Sequence, residues 1–497
     1  MALSANPWYA AETTPAPARR AVWLLCLGAG LALGTIIGAV PLAVAAVVMA
    51  GALGAILAIG FPHAGGCLFV CALVAVADAD AGYGQHVWPI RDVEKIRGLP
   101  SALWSFFLVL FGGAMFRLYF VQRGSSRVPL FYFAIYAGIL LFAAAVGLRN
   151  GWPMAGMHAE SFRLLYPVMF FYLAIHLFDS RERIRRALWI LFGVAAITAA
   201  VLSCYYLAGR GVLFELEGGT KTSRIVTDDS AVLMTFTAML LLALGQVMSG
   251  RAGRALTLLL AAGCTPLVVA LLFSFRRAEW MGVAGGVLVL LLAGSRAERV
   301  RLLRFLAPVV PVLLLVFGAF AWRGESMHLG GHLTRRFETL LDGRHSSNRY
   351  HMFESLQTLK DLERRPFTGL GLASSHSPLP QFPDSGVPRN VVHNTWIFVW
   401  MKLGLPGLLA LVWVSVLYLR RIAGGLRGPS SAAGRPLLLA LAALMPIWFM
   451  QSVSGPMPWY PRMTMQVALY AAMALNLVYL DRVAAGARSS PRREEAG

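Results

Sequence analysis

The sequence predicts an all-α polytopic membrane protein with about 12 to 14 transmembrane helices. Of its 497 residues, 58% are hydrophobic and only 14% are charged, too little charge to cover the surface of a soluble protein of this size. Apolar runs long enough to cross a bilayer recur from residue 21 to residue 480. Basic residues gather in the short connections between these runs, as the positive-inside rule requires.

The predicted transmembrane helices follow the apolar runs in order, and the runs 64–77 and 280–294 are short for about 30 Å of hydrocarbon. The predicted spans are residues 21–40, 42–60, 64–77, 101–121, 128–147, 161–178, 187–208, 231–249, 255–273, 280–294, 305–321, 394–419, 437–453 and 463–480.

The charge distribution orients the chain. The formal net charge is +20, which in a soluble protein would suggest nucleic acid, but here much of the basic charge lies in short loops on one side. That side is predicted to be cytoplasmic, with both termini. The predicted parts are a cytoplasmic tail (1–20), a transmembrane bundle (21–321), a periplasmic loop (322–392), C-terminal transmembrane helices (393–482) and a second cytoplasmic tail (483–497).

Two basic regions on the outer face are not needed for orientation. The short turn 274–279 contains Arg276 and Arg277, and the long loop 322–393 is rich in arginine and histidine, including Arg335, Arg336 and Arg349. Within this loop, residues 349–366 have apolar residues at helical spacing and a terminal proline. We therefore expect an amphipathic helix on the outer membrane surface.

The paired arginines suit a phosphate ligand. An arginine deep in a bilayer costs about 2.5–3.5 kcal/mol, and a guanidinium binds phosphate oxygens through two parallel hydrogen bonds. Arg276 and Arg277 would thus suit a lipid-linked phosphate or diphosphate at headgroup depth. The alternative is structural: either arginine snorkels to the interface or pairs with Glu279.

A second candidate site lies where the long loop enters a transmembrane helix. His393 could accept a proton from an attacking hydroxyl, and Asn394 could cap the helix or orient a ligand. A satisfied interfacial histidine is the structural alternative. The five cysteines and the acidic pairs at 78–80 and 227–229 lack further ligands at suitable spacing, so neither a metal nor a cofactor is predicted.

These motifs together resemble the O-antigen ligase / O-antigen polymerase superfamily of membrane glycosyltransferases. His393-Asn394 is followed by nine residues, Gly404 and Gly407, which is similar to the ligase-type pattern. The segment "FSFRRAEWMG" resembles the family's Ser-Arg-x-x-Trp, although Phe275 replaces the usual serine and two arginines replace one. The run "NRYHMFESLQTLKDLERRPFTGLG" resembles the family's arginine, surface helix and Pro-x-x-Gly-x-Gly.

The resemblance implies a GT-C-like fold and a metal-independent, inverting transfer at the periplasmic face of the bacterial inner membrane. The donor would be a glycan on undecaprenyl diphosphate, and the acceptor lipid A core or a growing polysaccharide. By the family motifs, His393 would activate the acceptor hydroxyl, with Arg276 or Arg277 as its catalytic partner. The residues expected to bind the diphosphate are Arg349, Arg335, Arg336 and Asn394.

Several alternatives stay open at this stage. The same scaffold could serve an O-antigen ligase, an O-antigen or exopolysaccharide polymerase, or an enzyme that transfers glycans to protein. A lipid-linked oligosaccharide flippase, from a different class, would also have 12 to 14 helices. A transporter should place cations along a central path, whereas here the midplanes are nearly free of charge and the basic residues outside the cytoplasmic loops gather at the outer rim, which favours a transferase. Membrane lipids are expected partners, and nucleic acid is not.

Overall fold

The computed structural model describes residues 42–75, 102–121, 128, 130–207, 212–215, 221–224, 230–323, 346–382, 389–428 and 434–489. Fifteen α-helices run through these residues. They are α1 Leu42–Gly60, α2 Pro62–Ala75, α3 Ala102–Phe116, α4 Leu130–Arg149, α5 Met154–Leu177, α6 Arg181–Leu207, α7 Ser230–Met248, α8 Arg254–Leu272, α9 Arg277–Ala293, α10 Arg296–Arg323, α11 Ser346–Glu363, α12 Thr395–Arg427, α13 Arg435–Ala442, α14 Met445–Ser454 and α15 Pro461–Ser489.

The predicted fold class is confirmed: the chain is an all-α, multi-pass membrane protein. Within the described residues, eight helical segments are long and apolar enough to cross a membrane. The predicted span 21–40 lies outside the described residues, and the other predicted spans fall on helices, one of them on two helices. A π-helical turn, Arg117–Val121, extends α3, and a short antiparallel hairpin pairs β1 (Val212–Glu215) with β2 (Lys221–Arg224).

Several helices are longer than their apolar runs. The basic residues 181–186 and 296–304 were expected in cytoplasmic loops, but they form the first turns of α6 and α10. Residues 154–160, expected in an outer loop, begin α5. A helix satisfies its own backbone hydrogen bonds, so it continues past the hydrocarbon wherever polar side chains can reach water. Hydropathy therefore locates a span but underestimates the length of its helix.

The predicted span 437–453 is two helices, which is a correction. A break at Ala443 and Leu444 separates α13 from α14. Pro446 lies in the first turn of α14, where its missing N–H costs nothing, but it could not continue α13.

Two apolar cores organise the described part of the bundle. The larger core surrounds α7. The apolar window Ala231–Met248 of α7 is 94% buried inside the protein, although its sequence is apolar enough to face lipid. The smaller core lies at the end of the bundle that carries residues 346–393, which we call the loop end. It joins α4, α5, α11 and α12, with Leu362, Leu372 and Phe398 among its members. This smaller core fixes the loop against the helices that carry the candidate site.

Candidate functional site

His393 lies two residues before the start of α12, at the loop end. The side-chain oxygen of Asn394 accepts hydrogen bonds from the backbone N–H groups of Trp396 (3.0 Å) and Ile397 (3.2 Å). Asn394 is therefore the N-cap of α12, one of the two roles considered from the sequence. The cap also stops the helix from including His393, whose backbone remains available to another partner.

Glu354 on α11 is that partner. Its carboxylate is fully buried and accepts a hydrogen bond from the backbone N–H of His393 at 2.6 Å. The same carboxylate lies 3.0 and 3.2 Å from His393 Nδ1. A carboxylate can only accept, so Nδ1 carries a proton and Nε2 is the nitrogen that can take one. The side chain of His393 is 23% exposed, which gives its ring access to the exterior.

Two further histidines surround this pair. The ring of His351, one turn before Glu354 on α11, lies 4.3 Å from the ring of His393 between centroids. His376 is buried, with Nε2 3.9 Å from Glu354 Oε1. Burial, followed by the charge of nearby His393, lowers the pKa of His351 to about 4. His351 is therefore neutral near pH 7.

The paired arginines are presented by a strained turn between α8 and α9. Phe275 is buried and has a φ of 55°, in the left-handed region that bulky residues rarely adopt. The turn is tied to α8 because Ser274 Oγ (2.7 Å) and Trp280 Nε1 (2.8 Å) both donate to the carbonyl of Leu271. These contacts direct the start of α9 toward the loop end, and strain of this kind clusters at functional sites.

Arg277 and Arg276 have different surroundings. The guanidinium of Arg277 donates to Asn348 Oδ1 at 3.1 Å, in the first turn of α11, and acts electrostatically on His351. Arg276 is the N-cap of α9 and acts electrostatically on Glu279. Arg277 is therefore the arginine that the structure associates with the histidine cluster.

Buried polar side chains hold the starts of α9 and α12 together. Glu279 accepts hydrogen bonds from Thr237 on α7 (3.1 Å) and Gln451 on α14 (2.6 Å). The next residue of α14, Ser452, accepts a hydrogen bond from Trp396 Nε1 of α12 at 3.2 Å. Thus α14 lies between the arginine turn and the histidine helix and fixes their spacing.

The turn after α11, which contains Gly369 and Gly371 with positive φ angles, packs against α4 and α12. The backbone N–H of Leu370 donates to the carbonyl of Met401 (2.8 Å), and that of Leu372 to the carbonyl of Ala143 (3.1 Å). Gly404 has a φ of 70°, and a Cβ there would meet the carbonyl of Phe367 at 2.5 Å. A glycine is needed at this break in α12 because the loop backbone lies against it.

A second buried carboxylate, Glu160 on α5, anchors the loop a short distance beyond this turn. Lys402 Nζ donates to Glu160 Oε1 and to the carbonyl of Ser374, each at 2.7 Å. The backbone N–H of Ala373 donates to Glu160 Oε2 at 2.6 Å. The side chains of Glu160 and Lys402 are 4% and 0% exposed, so this ion pair is sealed from solvent.

The remaining predicted site residues are less informative. Arg349 is exposed in the first turn of α11, beside the Asn348 that binds Arg277. Arg335 and Arg336, and the acidic pairs at 78–80 and 227–229, lie outside the described residues. The predicted surface helix exists, but it begins at Ser346 and ends at Glu363, three residues before Pro366.

Sequence reasoning missed Glu354, His351 and His376. A signal for two of them was present, since His351 and Glu354 are three residues apart and so share a face of the predicted helix. The ligand atoms of His351, Glu354 and His393 all lie within 4.8 Å of one another, which makes the group capable of holding a metal ion. No sequence spacing could reveal that His393, 39 residues later, completes this group.

Comparison with known proteins finds a family similarity in the part of the chain that carries these residues. Residues 262–412 match the family model described as O-antigen ligase. These residues are similar to the domain that this model describes. The resemblance noted from the sequence is confirmed, because this domain includes the arginine turn, α11 and the start of α12. The O-antigen ligase family suggests lipid-linked glycans and membrane lipids as its partners, and glycosyl transfer in the membrane as its chemistry.

No curated protein matches this chain significantly. One chain of a solved structure is 19% identical over 72% of this chain and 98% of its own length, with a TM-score of 0.40. It comes from work described as "Structural coordination of polymerization and crosslinking by a peptidoglycan synthase complex". This likeness is too distant to bear on the O-antigen ligase domain.

Proposed function

We propose that this protein transfers a glycan from undecaprenyl diphosphate to an acceptor hydroxyl, with inversion and without a metal cofactor. The observation that carries the proposal is that one short helix, α11, contacts both candidate catalytic groups. Its Asn348 binds Arg277, and its Glu354 binds His393. A proton acceptor and a fixed cation thus lie at one site, as displacement of a diphosphate requires.

His393 is the general base in this proposal. Its Nε2 accepts the proton of the acceptor hydroxyl while that oxygen attacks the anomeric carbon of the donor. The bond from this carbon to the diphosphate oxygen breaks with its electron pair, and undecaprenyl diphosphate leaves. Glu354 holds the ring through Nδ1 and stabilises the imidazolium that forms. Attack opposite the leaving group inverts the anomeric centre.

Arg277 stabilises the charge that grows on the departing diphosphate. A guanidinium remains charged at any working pH and offers two parallel donors to phosphate oxygens. Its bond to Asn348 pre-orients it toward α11, so little reorganisation is needed at the moment of reaction. We assign supporting roles in diphosphate binding to the exposed Arg349 and to the loop arginines Arg335 and Arg336, and Asn394 acts through its cap of α12.

We place the reaction on the periplasmic face of the bacterial inner membrane. The basic turns at the opposite end of the bundle support this orientation by the positive-inside rule, with Arg251 and Arg301 among their residues. The loop end then faces the periplasm, where undecaprenyl-linked glycans meet their acceptors. The lipid-facing sides of the outer helices are apolar, with Leu141 and Leu258 more than 70% exposed, which suits direct entry of a lipid donor.

The preferred acceptor is lipid A core, as for an O-antigen ligase. The pattern His393-Asn394, nine residues, Gly404 and Gly407 supports ligation, and Gly404 is the residue at which α12 breaks to receive the loop. An O-antigen or exopolysaccharide polymerase, which uses another repeat unit as acceptor, remains the alternative within the same chemistry.

Reconstitution tests the proposal. Purified protein in liposomes receives a glycan linked to undecaprenyl diphosphate in the accessible leaflet, together with lipid A core. We expect release of undecaprenyl diphosphate and a lipid A product of inverted anomeric configuration, without added metal and with chelator present. Donor extension without lipid A would instead identify a polymerase. Donor movement between leaflets without consumption would contradict the proposal and identify a flippase.

A further inference from the structure

Glu354 is surrounded by more potential metal ligands than the transfer reaction uses. His351, Glu354 and His393 present ligand atoms within 4.8 Å of one another. Two ligands each about 2.1 Å from a tetrahedral ion lie about 3.4 Å apart. His393 Nδ1 is already 3.0 and 3.2 Å from the two oxygens of Glu354, so one pair of ligands requires only a small adjustment.

His376 gives an independent indication that a cation suits this place. Its side chain is 1% exposed, and its Nδ1 lies 2.7 Å from the carbonyl of Ser377, to which it can only donate. In the neutral ring, Nε2 then has a lone pair, and no hydrogen-bond partner for it exists among the described residues. This lone pair faces Glu354 Oε1 at 3.9 Å. A positive ion beside Glu354 would satisfy both acceptors.

We propose that His351, Glu354 and His393 form a binding site for a divalent transition metal of the Zn²⁺ type, and that its occupancy inhibits the enzyme. Two imidazoles and one carboxylate are a ligand set that zinc accepts, with the fourth position left to water or to His376. Mg²⁺ and Ca²⁺, which prefer oxygen ligands, fit this nitrogen-rich set poorly.

That the metal inhibits the enzyme rests on the proposed function, because it depends on which ring nitrogen of His393 carries the proton. A metal on His393 Nδ1 occupies the lone pair of that nitrogen, so the ring proton moves to Nε2 and the imidazole stays neutral. Nε2 then donates and can no longer accept the proton of the acceptor hydroxyl. Glu354 becomes a metal ligand at the same time and no longer stabilises an imidazolium.

Zinc binding to the purified full-length protein tests the site directly. The protein is stripped with chelator, titrated with Zn²⁺ by calorimetry, and analysed for metal after gel filtration. We expect one saturable Zn²⁺ per chain and an affinity at least about 10-fold weaker in His351→Ala, since even an outer-shell partner is worth that much. His351→Gln, which keeps a polar side chain, serves if the alanine variant does not fold.

His158→Ala is the matched control. His158 is an exposed histidine on α5 that contacts Phe162, and its loss should leave Zn²⁺ binding unchanged. Absence of a saturable equivalent, or binding unaffected by both His351 variants, would overturn the metal site.

Activity assays separate this inference from the proposed function. We expect Zn²⁺ to inhibit glycan transfer and excess chelator to restore it, with inhibition shifted to higher Zn²⁺ in His351→Ala after normalisation to that variant's metal-free rate. Binding without inhibition would leave the metal site intact and contradict the role of His393 as base. Loss of transfer in chelator alone would contradict the inhibitory sense.

Discussion

Two buried carboxylates hold the loop end, and they differ in what their partners can reach. Glu160 bonds to Lys402, whose side chain is fully buried and which also binds the carbonyl of Ser374. Glu354 bonds to His393, whose side chain is 23% exposed. Both carboxylates also accept a backbone N–H of the long loop or its end, from Ala373 and His393 respectively.

The difference separates anchoring from chemistry. Every atom that Glu160 uses is enclosed, so its charge can only hold the loop against α5 and α12. Glu354 has the same anchoring contact, but its ionic partner is a titratable ring with one nitrogen directed elsewhere. A buried carboxylate therefore indicates a reactive site only when its partner can exchange a proton with the exterior.

The largest expected effect is on the transfer rate, at the partly exposed pair of Glu354 and His393. His393→Ala should lower the rate of glycan transfer by about 10²–10⁴-fold, the usual contribution of a general base. The melting temperature in detergent should also fall, because the buried Glu354 loses the imidazole and keeps the backbone N–H of His393, so the rate is expressed per folded molecule. The assay is donor consumption in liposomes, with His158→Ala as control. Wild-type transfer by a correctly inserted His393→Ala protein would remove His393 from the mechanism.

Substitutions in the enclosed pair of Glu160 and Lys402 should lower the stability of the protein. Lys402→Met leaves Glu160 as a buried charge without its ion-pair partner, which should cost about 3–5 kcal/mol. Thermal unfolding of the purified protein measures this loss. The double variant Glu160→Gln, Lys402→Met should recover most of it, because it no longer buries a lone charge. A single variant as stable as the wild type would show that the pair is not an anchor.

Arg276 and Arg277 provide a further test at the site of Glu354 and His393. Arg277→Ala should reduce the transfer rate by about 10²–10³-fold, as loss of one preorganised donor does elsewhere. Arg276→Ala should have a clearly smaller effect, since Arg276 occupies the N-cap position of α9 and acts electrostatically on the buried Glu279. Rates measured at saturating donor distinguish the two. The reverse order would assign Arg276 to the diphosphate.

The smallest expected effect is on stability, at Gly404, where the backbone of the loop lies against α12. Gly404→Ala places a Cβ in a left-handed backbone position against the carbonyl of Phe367, which should cost about 1–3 kcal/mol. Gly138→Ala in α4 is the matched control, since a Cβ there meets no atom within 4 Å. Thermal unfolding should separate the two variants. Equal stability would mean that the loop backbone does not press on α12.

Much of the fold was predictable because a lipid environment imposes a simple rule. Long apolar runs must be helical, so the spans from residue 42 onward follow from hydropathy, whereas helix ends with polar side chains do not. The break before Pro446 was missed because α13 and α14 form one continuous apolar run. Hydropathy registers the run and is insensitive to the break within it.

The site was predictable only in part, for a different reason. His393 and the paired arginines belong to short local patterns, which the sequence displays directly. Glu354 and Glu160 act through partners 39 and 242 residues away, and their importance lies in burial that only the folded chain creates. The choice between Arg276 and Arg277 likewise depended on Asn348, which lies 71 residues beyond Arg277.

The central claim is tested most directly by comparing Glu354→Gln with Glu160→Gln in turnover and melting temperature. We expect Glu354→Gln to lower turnover by at least about 100-fold, since the matching change in a serine-protease triad costs more, with little loss of stability. Glu160→Gln should lower the melting temperature and keep turnover per folded molecule near wild type. Full turnover in a folded Glu354→Gln protein would contradict the account.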